Sequence, residues 1–545
     1  MKQLNFLICL LLGLSINASA AGPKTKASPA KPAAAPSVKK APAPQPTDAA
    51  ASGAALTVLK QGVKYYQQAK FANAAVSFHK MTNLDNISED ARAQANYYLG
   101  LSLYNLKLYQ ASSYPMIKVI RSNSKKFRQK SLEKLISISN KLGDQHMLDF
   151  AMSKMQITDL EKLAVDVYYF KLATVSFDKG QLDQAINYCK LSIEKNPNSE
   201  PALNLLALSY LKKNETELAI DTYNKLLALY AQRSNMNPKK GYTFLNIARA
   251  HFQAKKFEDA ADYYRNISKD NQAYRESLTE LGWTYLHLSK LRSALSVIHT
   301  LHTPFYENYF EPESLVLRAI LLNYNCKFED AEVAVNTFNE NYANTLDILS
   351  NWTAQTITVA DAINEINFAT EILKNESASN AELDYTKNYG GRIPFKVTRS
   401  ILKDFRMKNI YDTYTMVREE AKLAHKYFGT SKTPLRPFLE KIYAGRLNFF
   451  KNQLALKFNQ VILSIEKNIT YYKQQMKFVY YEILEAKKSQ LRLKIAAKDA
   501  PPPNEVYNRN FYVKNGFRYW PFQGEFWQDE IGNYQYLGDN LCAQE

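Results

Sequence analysis

The stretch "ALNLLALSYLKKNETELAIDTYNKLLAL", Ala202 to Leu229, decides how this chain folds. Apolar residues recur at steps of three and four in two runs, and the polar "KKNETE" separates them. That is the pattern of two amphipathic helices joined by a tight turn. A second stretch, "SLTELGWTYLHLSKLRSALSVIHTL" from Ser277 to Leu301, aligns with it. Each has a small residue in its first helix, an aromatic three further on, and an alanine twelve after the small residue. These are Ala207, Tyr210 and Ala219 in one, and Gly282, Tyr285 and Ala294 in the other. Small residues let paired helices approach closely, and aromatics fill the space between successive pairs.

The same frame places Ala173 with Ala185, Ala248 with Ala260, and Ala319 with Ala331. Second-helix alanines therefore recur at 185, 219, 260, 294 and 331, a 34-residue unit with some lengthened loops. Upstream, "GVKYYQQAKFANAAVSFHK" supplies Gly62, Tyr65, Ala74 and Phe78, and "YYLGLSLYNLKLYQASSY" gives a copy around Gly100. A degenerate copy, "LEKLISISNKLGDQHMLDFAMSKM", fills the gap, so about eight helix pairs are expected over residues 54–340.

On these residues the chain resembles the tetratricopeptide repeat family over about half its length. The resemblance implies an α-solenoid with a concave groove, lined by first helices, that holds an extended peptide or a partner helix. The groove positions it implies are Phe170, Thr174, Asn204, Asn246, Arg249, Phe252, Trp283, His287 and Asn323. Trp283 at such a position is read either as an anchor for a ligand side chain or as packing against the neighbouring repeat. Some family members clamp a terminal carboxylate with Lys and Asn, and Asn246 with Arg249 is the nearest approximation here.

The ends of the chain have different compositions. Residues 1–20 read as an export signal: Lys2, an apolar run from Leu4 to Ile16, then Ala18-Ser19-Ala20, a small-x-small cleavage pattern. Residues 21–53 are rich in Ala, Pro and Lys, hold seven of the 20 prolines, and read as a disordered tether with too little apolar surface to fold. The expected product is a soluble protein of the periplasm, free or associated with the outer membrane. Cys189, Cys326 and Cys542 show no metal-ligand spacing. Cys189 and Cys326 fall at apolar positions of expected helices, and no disulfide framework is indicated.

Residues 341–500 read as a basic long-helix domain. Arg446 to Ala500 holds neither Gly nor Pro, and Phe458, Val461, Ile465, Ile469, Tyr472, Met476, Val479 and Ile483 form a coiled-coil-like seam. That seam must be covered by the helix expected at Arg399 to Tyr427, by another copy or by a partner. Between residues 391 and 500 there are 23 Lys plus Arg against 9 Asp plus Glu, most of the chain's net charge of +18. Such a surface suits anionic cell-wall glycan, lipid headgroups or an acidic partner, or serves solubility alone. Export argues against nucleic acid.

Residues 501–545 form the last region. After the linker "AAKDAPPPNEVYNRN", short aromatic runs alternate with turn pairs: "FYVK", Asn515-Gly516, "FRYWPF", Gln523-Gly524, "EFWQDE", Gly532-Asn533, "YQYL". This reads as a small antiparallel β-meander from about Phe511 to Leu537 that must dock on a neighbour. Trp520 and Trp527 are either its docking core or a face for stacking on sugar rings. Trp520-Pro521-Phe522, Gly524-Glu525, Trp527, Asp529-Glu530 and Gly532 followed by Tyr534 resemble the ending of exported tetratricopeptide proteins of gliding and predatory deltaproteobacteria. That likeness implies a scaffold of a multiprotein cell-envelope complex.

The fold class expected is thus all-α: a solenoid, then long helices, with a small β-meander tail. The function expected is a non-catalytic scaffold for envelope proteins, without cofactor or metal. The alternatives are a wall- or polysaccharide-binding module that uses the tail aromatics, and a wall-glycan enzyme. The seven His are scattered, and no nucleophile–base spacing or phosphate-cradling Gly loop is present.

Overall fold

The computed structural model describes residues 53–85, 87–153, 155, 162–233, 239–306, 309–374, 390–430, 432–496, 526–536, 538 and 540–542. The expected export signal, nearly all of the tether, Trp520 and the first strands of the expected meander lie outside these residues. The described residues form two compact units. One comprises those up to 205 with 404–457, and the other comprises 206–403 with 458–542. These divisions do not coincide with boundaries at 340 and 500.

Twenty α-helices are found among the described residues. The first sixteen pair into eight hairpins. α1 (Gly53–Gln67) pairs with α2 (Phe71–Thr82), α3 (Glu89–Asn105) with α4 (Tyr109–Ile120), α5 (Arg128–Leu142) with α6 (His146–Met152), and α7 (Lys162–Asp178) with α8 (Leu182–Lys195). The next four are α9 (Glu200–Lys212) with α10 (Thr216–Arg233), α11 (Lys239–Gln253) with α12 (Phe257–Arg265), α13 (Tyr274–His287) with α14 (Leu291–Leu301), and α15 (Pro312–Tyr324) with α16 (Phe328–Ala354). In the second unit α11 touches α13 and α13 touches α15, so first helices stack along one side.

One turn recurs in seven hairpins. Ala69, Lys107, Gly180, Asn214, Lys255, Ser289 and Cys326 all have positive φ. The residue after each donates its N–H to the carbonyl five residues back: Lys70 to Tyr65, Leu108 to Leu103, Gln181 to Ser176, Glu215 to Tyr210, Lys256 to His251, Lys290 to Tyr285 and Lys327 to Leu322. This is the Schellman helix end, which satisfies carbonyls that a helix leaves unpaired. Six of the seven pivots are not glycine, and each accepts the left-handed strain that glycine avoids. The accepting carbonyls belong to the aromatic position of the sequence frame, so that frame registers the turn.

Packing explains the small residues. Ala74, Ala173, Ala185, Ala207, Ala219, Ala248, Ala260, Ala294, Ala319 and Ala331 are all fully buried. A Cβ on Gly62 would lie 2.9 Å from the Phe78 ring, and one on Gly282 would lie 2.9 Å from Leu317 and 3.1 Å from Ile298. In both hairpins the second helix fills the space that the glycine vacates, sixteen residues on. The degenerate third copy also folds as a hairpin, and Leu132, Leu135, Leu148 and Ala151 form its buried cluster with Ile117 and Ile120.

Beyond the hairpins lie α17 (Val359–Lys374), α18 (Phe395–Lys403), α19 (Phe405–Phe428) and α20 (Leu435–Ala496). The expected helix from Arg399 to Tyr427 is broken, because Asp404 caps α19 by accepting from the Met407 N–H at 2.9 Å. In the first unit, Glu420 of α19 caps a repeat helix from outside it. It accepts from the Gln110 and Ala111 N–H groups at 3.0 and 3.1 Å, at the start of α4, and from the Tyr443 hydroxyl at 2.8 Å. α4 has no capping side chain of its own, and a carboxylate there complements the positive end of the helix dipole.

In the second unit, residues 458–496 of α20 cover the last hairpin. The indole N–H of Trp352 donates to Asn459, Ser350 and Thr353 donate to Glu466, the Tyr472 hydroxyl donates to Glu313, and Lys487 donates to Glu332. α20 therefore runs antiparallel to α16 and parallel to α15, as the first helix of a further repeat would. Its seam is buried at Phe458, Ile462, Ile465, Ile469, Met476, Val479 and Ile483. The chain's own repeats, rather than the helix expected at Arg399 to Tyr427, cover this part of the seam.

The tail corrects two expectations. No strand occurs among its described residues: Phe526 and Trp527 lead into a 3-10 turn at Gln528–Glu530, and Tyr534 to Tyr536 is irregular chain. The turn expected at Gly532-Asn533 is present, with Gly532 at φ +81° and the Asn533 N–H donating to Glu530, but it does not return the chain to a partner strand. The polar groups bond to helices and turns instead. Lys269 donates to the Asp529 carbonyl, the Tyr536 N–H to the Ser296 hydroxyl, and the Leu541 N–H to the Asn325 carbonyl. A segment this short cannot bury its aromatics against itself, so it lies as a strap along the second unit's hairpins.

The second correction is covalent. Cys326 and Cys542 form a disulfide with Cα atoms 5.0 Å apart. Cys326 is a left-handed turn pivot rather than an apolar helix position. The bridge closes a separation of 216 residues, a constraint on the unfolded chain of about 5 kcal/mol by loop entropy. Cys189 is the small buried hydrophobe expected, its thiol pushed up to about 12 by burial.

Candidate partner-binding face

The first helices of the second unit carry a continuous polar and aromatic face. On α13, Glu276, Glu280, Trp283 and His287 follow one another at steps of four, three and four, and therefore share one stripe. On α11, Asn246, Arg249 and Phe252 are spaced by three. Because α11, α13 and α15 stack side by side, these stripes are neighbours.

Arg249 forms the central link. Its Nε donates to both Glu280 oxygens at 3.1 and 3.0 Å, its Nη2 reaches Glu276, and the buried Tyr264 hydroxyl donates to Glu280 at 2.8 Å. Burial disfavours the guanidinium charge, but the two carboxylates outweigh it and hold the group protonated. Arg249 and Glu280 thus join two repeats in a charge-assisted fork. Asn246 stands half-buried beside this link.

Trp283 is 4% exposed, and its indole N–H donates to Glu313 at 2.9 Å. The other oxygen of Glu313 accepts from Tyr472 of α20 at 3.0 Å, so one carboxylate ties together α13, α15 and the long helix. Burial raises the Glu313 pKa, and the Tyr472 and Trp283 bonds oppose the rise. Glu311 beside it is raised to about 7 by burial, against the pull of Arg275 at 2.6 Å.

Aromatic residues close the far end of the face. The His287 ring stacks on Phe257 with centroids 4.5 Å apart and meets Phe252 edge-on at 5.2 Å. Burial lowers the His287 pKa and keeps its ring neutral. His287 Nε2 and Asn323 Oδ1 are both buried, and neither has a hydrogen-bond partner among the described residues. A buried polar atom left in this state costs about 1–3 kcal/mol until something satisfies it.

The first unit holds Phe170 and Thr174 on α7 and Asn204 on α9, all half-buried. Thr174 donates to the Phe170 carbonyl, as helix threonines do. Trp527 is 55% exposed on the strap. Among the described residues no group of three or more His, Cys, Asp or Glu is placed to hold a metal, and no helix is long and apolar enough to cross a membrane.

The tetratricopeptide repeat family model matches residues 170–234 and 245–298. Over those residues the hairpins match the tetratricopeptide repeat pattern. The match includes Phe170, Asn204, Asn246, Arg249, Phe252, Trp283 and His287. Solved structures with this kind of architecture include the MamA protein (17% identity, covering 32% of this chain and 91% of that one, TM-score 0.28) and PilF of Pseudomonas aeruginosa (18%, 42% and 94%, 0.28). A third is the apo form of RapI (14%, 65% and 99%, 0.32). No curated protein matches the chain.

Sequence reasoning missed the acidic half of this face: Glu276, Glu280, Glu311 and Glu313. The first two were legible, since they continue the Trp283–His287 stripe at helical spacing. Glu313 was not, because its partners lie 30 residues before it and 159 after it.

Proposed function

We propose that this protein is a non-catalytic, exported scaffold that binds protein partners through its tetratricopeptide repeats within a cell-envelope complex, of the kind that drives gliding motility. The observation that carries the binding role is the stacking of α11, α13 and α15, which sets the Asn246–Arg249–Phe252 and Glu276–Glu280–Trp283–His287 stripes side by side. The Phe252–Phe257–His287 cluster offers an apolar neighbour to a partner's side chain. The Arg249–Glu280–Glu276 link and the Trp283–Glu313 bond fix the helices that present these groups. Export is supported by the Ala18-Ser19-Ala20 pattern and by the Cys326–Cys542 disulfide, a bond typical of oxidising compartments.

The test is co-purification from crosslinked envelopes, comparing the wild-type chain with Asn323→Leu and with the first-unit variant Phe170→Ala/Asn204→Ala. Discrete proteins recovered by the wild type and lost with either variant support the scaffold. An unchanged partner set contradicts the assignment of these faces. A second reading, a glycan-binding module, is favoured by the exposure of Trp527 beside exposed Asp529 and Glu530. Recovery of peptidoglycan that Trp527→Ala abolishes would replace the scaffold reading with that one.

A further inference from the structure

α20 carries a second apolar stripe, distinct from the seam that covers the last hairpin. Met476, Val479 and Ile483 are buried, whereas Phe478, Tyr481, Leu484 and Leu491 are 61%, 64%, 42% and 53% exposed. The exposed residues follow one another at steps of three, three and seven, so they gather on the side of the helix away from the seam. Runs of large side chains exposed to this degree are uncommon on a monomer surface and mark interaction sites.

The charges around the stripe identify its partner. Lys487 is turned inward to Glu332 and Glu329. From Tyr481 to Arg492 the outward charges are ordered along the chain, with Glu482 and Glu485 first and Lys488 and Arg492 after them, and Glu485 and Lys488 stand 3.7 Å apart. A stripe with acids before bases complements itself when two copies run in opposite directions. Around a two-fold axis between Ala486 and Lys487, Glu485 of each copy faces Lys488 of the other, and Tyr481 of each faces Arg492 of the other. Both ion pairs and both cation–π contacts then form twice. Parallel copies would set like charges side by side.

We propose that residues 478–492 of α20 are a homodimer interface, in which two copies of this chain pair their long helices antiparallel. An anionic bilayer fits this stretch less well. Lys477, Lys488 and Arg492 are nearly balanced by Glu482 and Glu485, which leaves little net attraction to acidic headgroups. The proposal does not depend on the scaffold reading, since it concerns a face of α20 that the repeats do not use.

The test uses the full mature chain at micromolar concentration. Sedimentation velocity gives the mass, and a short thiol-reactive crosslinker is applied to Leu484→Cys and, separately, to Leu463→Cys. The expected result is a dimer in which Leu484→Cys crosslinks to itself. Leu463→Cys should not, since its two copies would lie roughly 70 Å apart at 1.5 Å per residue. Glu485→Lys should weaken the dimer roughly tenfold, and Glu485→Lys/Lys488→Glu should restore it, because the swapped charges still meet in antiparallel copies. Phe478→Ser/Tyr481→Ser should be monomeric with the circular dichroism of the wild type. A monomer at every concentration overturns the proposal, whether Leu484→Cys is labelled freely or is shielded by the chain itself. Equal crosslinking at both positions, or a dimer indifferent to Phe478→Ser/Tyr481→Ser, also overturns it.

Discussion

The C-terminal strap is richer in aromatic residues than the repeat hairpins, and the two have opposite modes of construction. In the hairpins the contacts that pair and stack the helices are mostly local. A turn carbonyl is reached from five residues away, a glycine from sixteen, and the next repeat from about thirty. In the strap's described residues the local contacts are the Gly532 turn, the Cys542 N–H to Asn540 and the Phe526–Tyr534 rings, and the bonds that hold it down reach side chains and carbonyls more than 200 residues earlier. Aromatic residues thus follow whichever geometry the neighbouring small and polar residues allow. Next to Gly62 and Ala74 they become inter-helix packing, and without such neighbours they need an existing surface to lie on.

The contrast can be broken most severely in the hairpins. Phe78 is fully buried and fills the space over Gly62, so Phe78→Ala should destabilise the first unit by about 3–5 kcal/mol, read by denaturant titration of the full chain. A loss below 1 kcal/mol would mean that the glycine–aromatic contact does not hold the pair together.

Cys542→Ser tests the strap. Its expected effect is a loss of about 2–5 kcal/mol of global stability, and under native conditions hydrogen exchange should rise more across the strap's described residues than across α11 to α16. Exchange rising equally throughout the hairpins would show that the strap is part of the repeat core.

Glu420 sharpens the comparison, because it is a long-range contact serving a repeat helix. Its pKa is raised from 4.5 to about 7 by burial, against the bonds from Gln110, Tyr443 and Ala111. The folded chain therefore holds this proton more tightly than the unfolded chain does. The associated stabilisation is complete below pH 4.5 and is lost as the pH rises through about 7. Glu420→Gln cannot titrate, so the stability of the wild type relative to this variant should fall by on the order of 3 kcal/mol across that window. A pH-independent difference would contradict the assignment.

The smallest effect belongs to a purely local device. Ser88 caps α3 by accepting from the Ala91 N–H, and Ser88→Ala should lower stability by about 1 kcal/mol in a melting experiment.

The same contrast explains what the sequence could convey. The 34-residue frame was legible because its small and aromatic positions encode contacts inside one hairpin, and Ala219, Ala260 and Ala294 are as buried as the spacing demands. The turn pivots were not, since Lys107, Asn214 and Ser289 share no residue type and only the backbone shows them to be equivalent. The disulfide was hidden because Cys326 and Cys542 lie 216 residues apart with no flanking pattern. The strap was read as strands because Gly532-Asn533 does form a turn, and turn chemistry alone does not supply a second strand. On the candidate face, Arg249, Trp283 and His287 were found from the family frame, while the carboxylates that hold them answer to partners far along the chain.

The central claim is that residues 458–496 of the long helix complete the repeat structure of the second unit, joined to it at Glu313. A double-mutant cycle with Trp283→Phe and Tyr472→Phe tests this most directly, since the two groups bond to opposite oxygens of that carboxylate. Coupling of at least about 0.5 kcal/mol between the two substitutions is predicted. Strict additivity, with each variant destabilising independently, would contradict it.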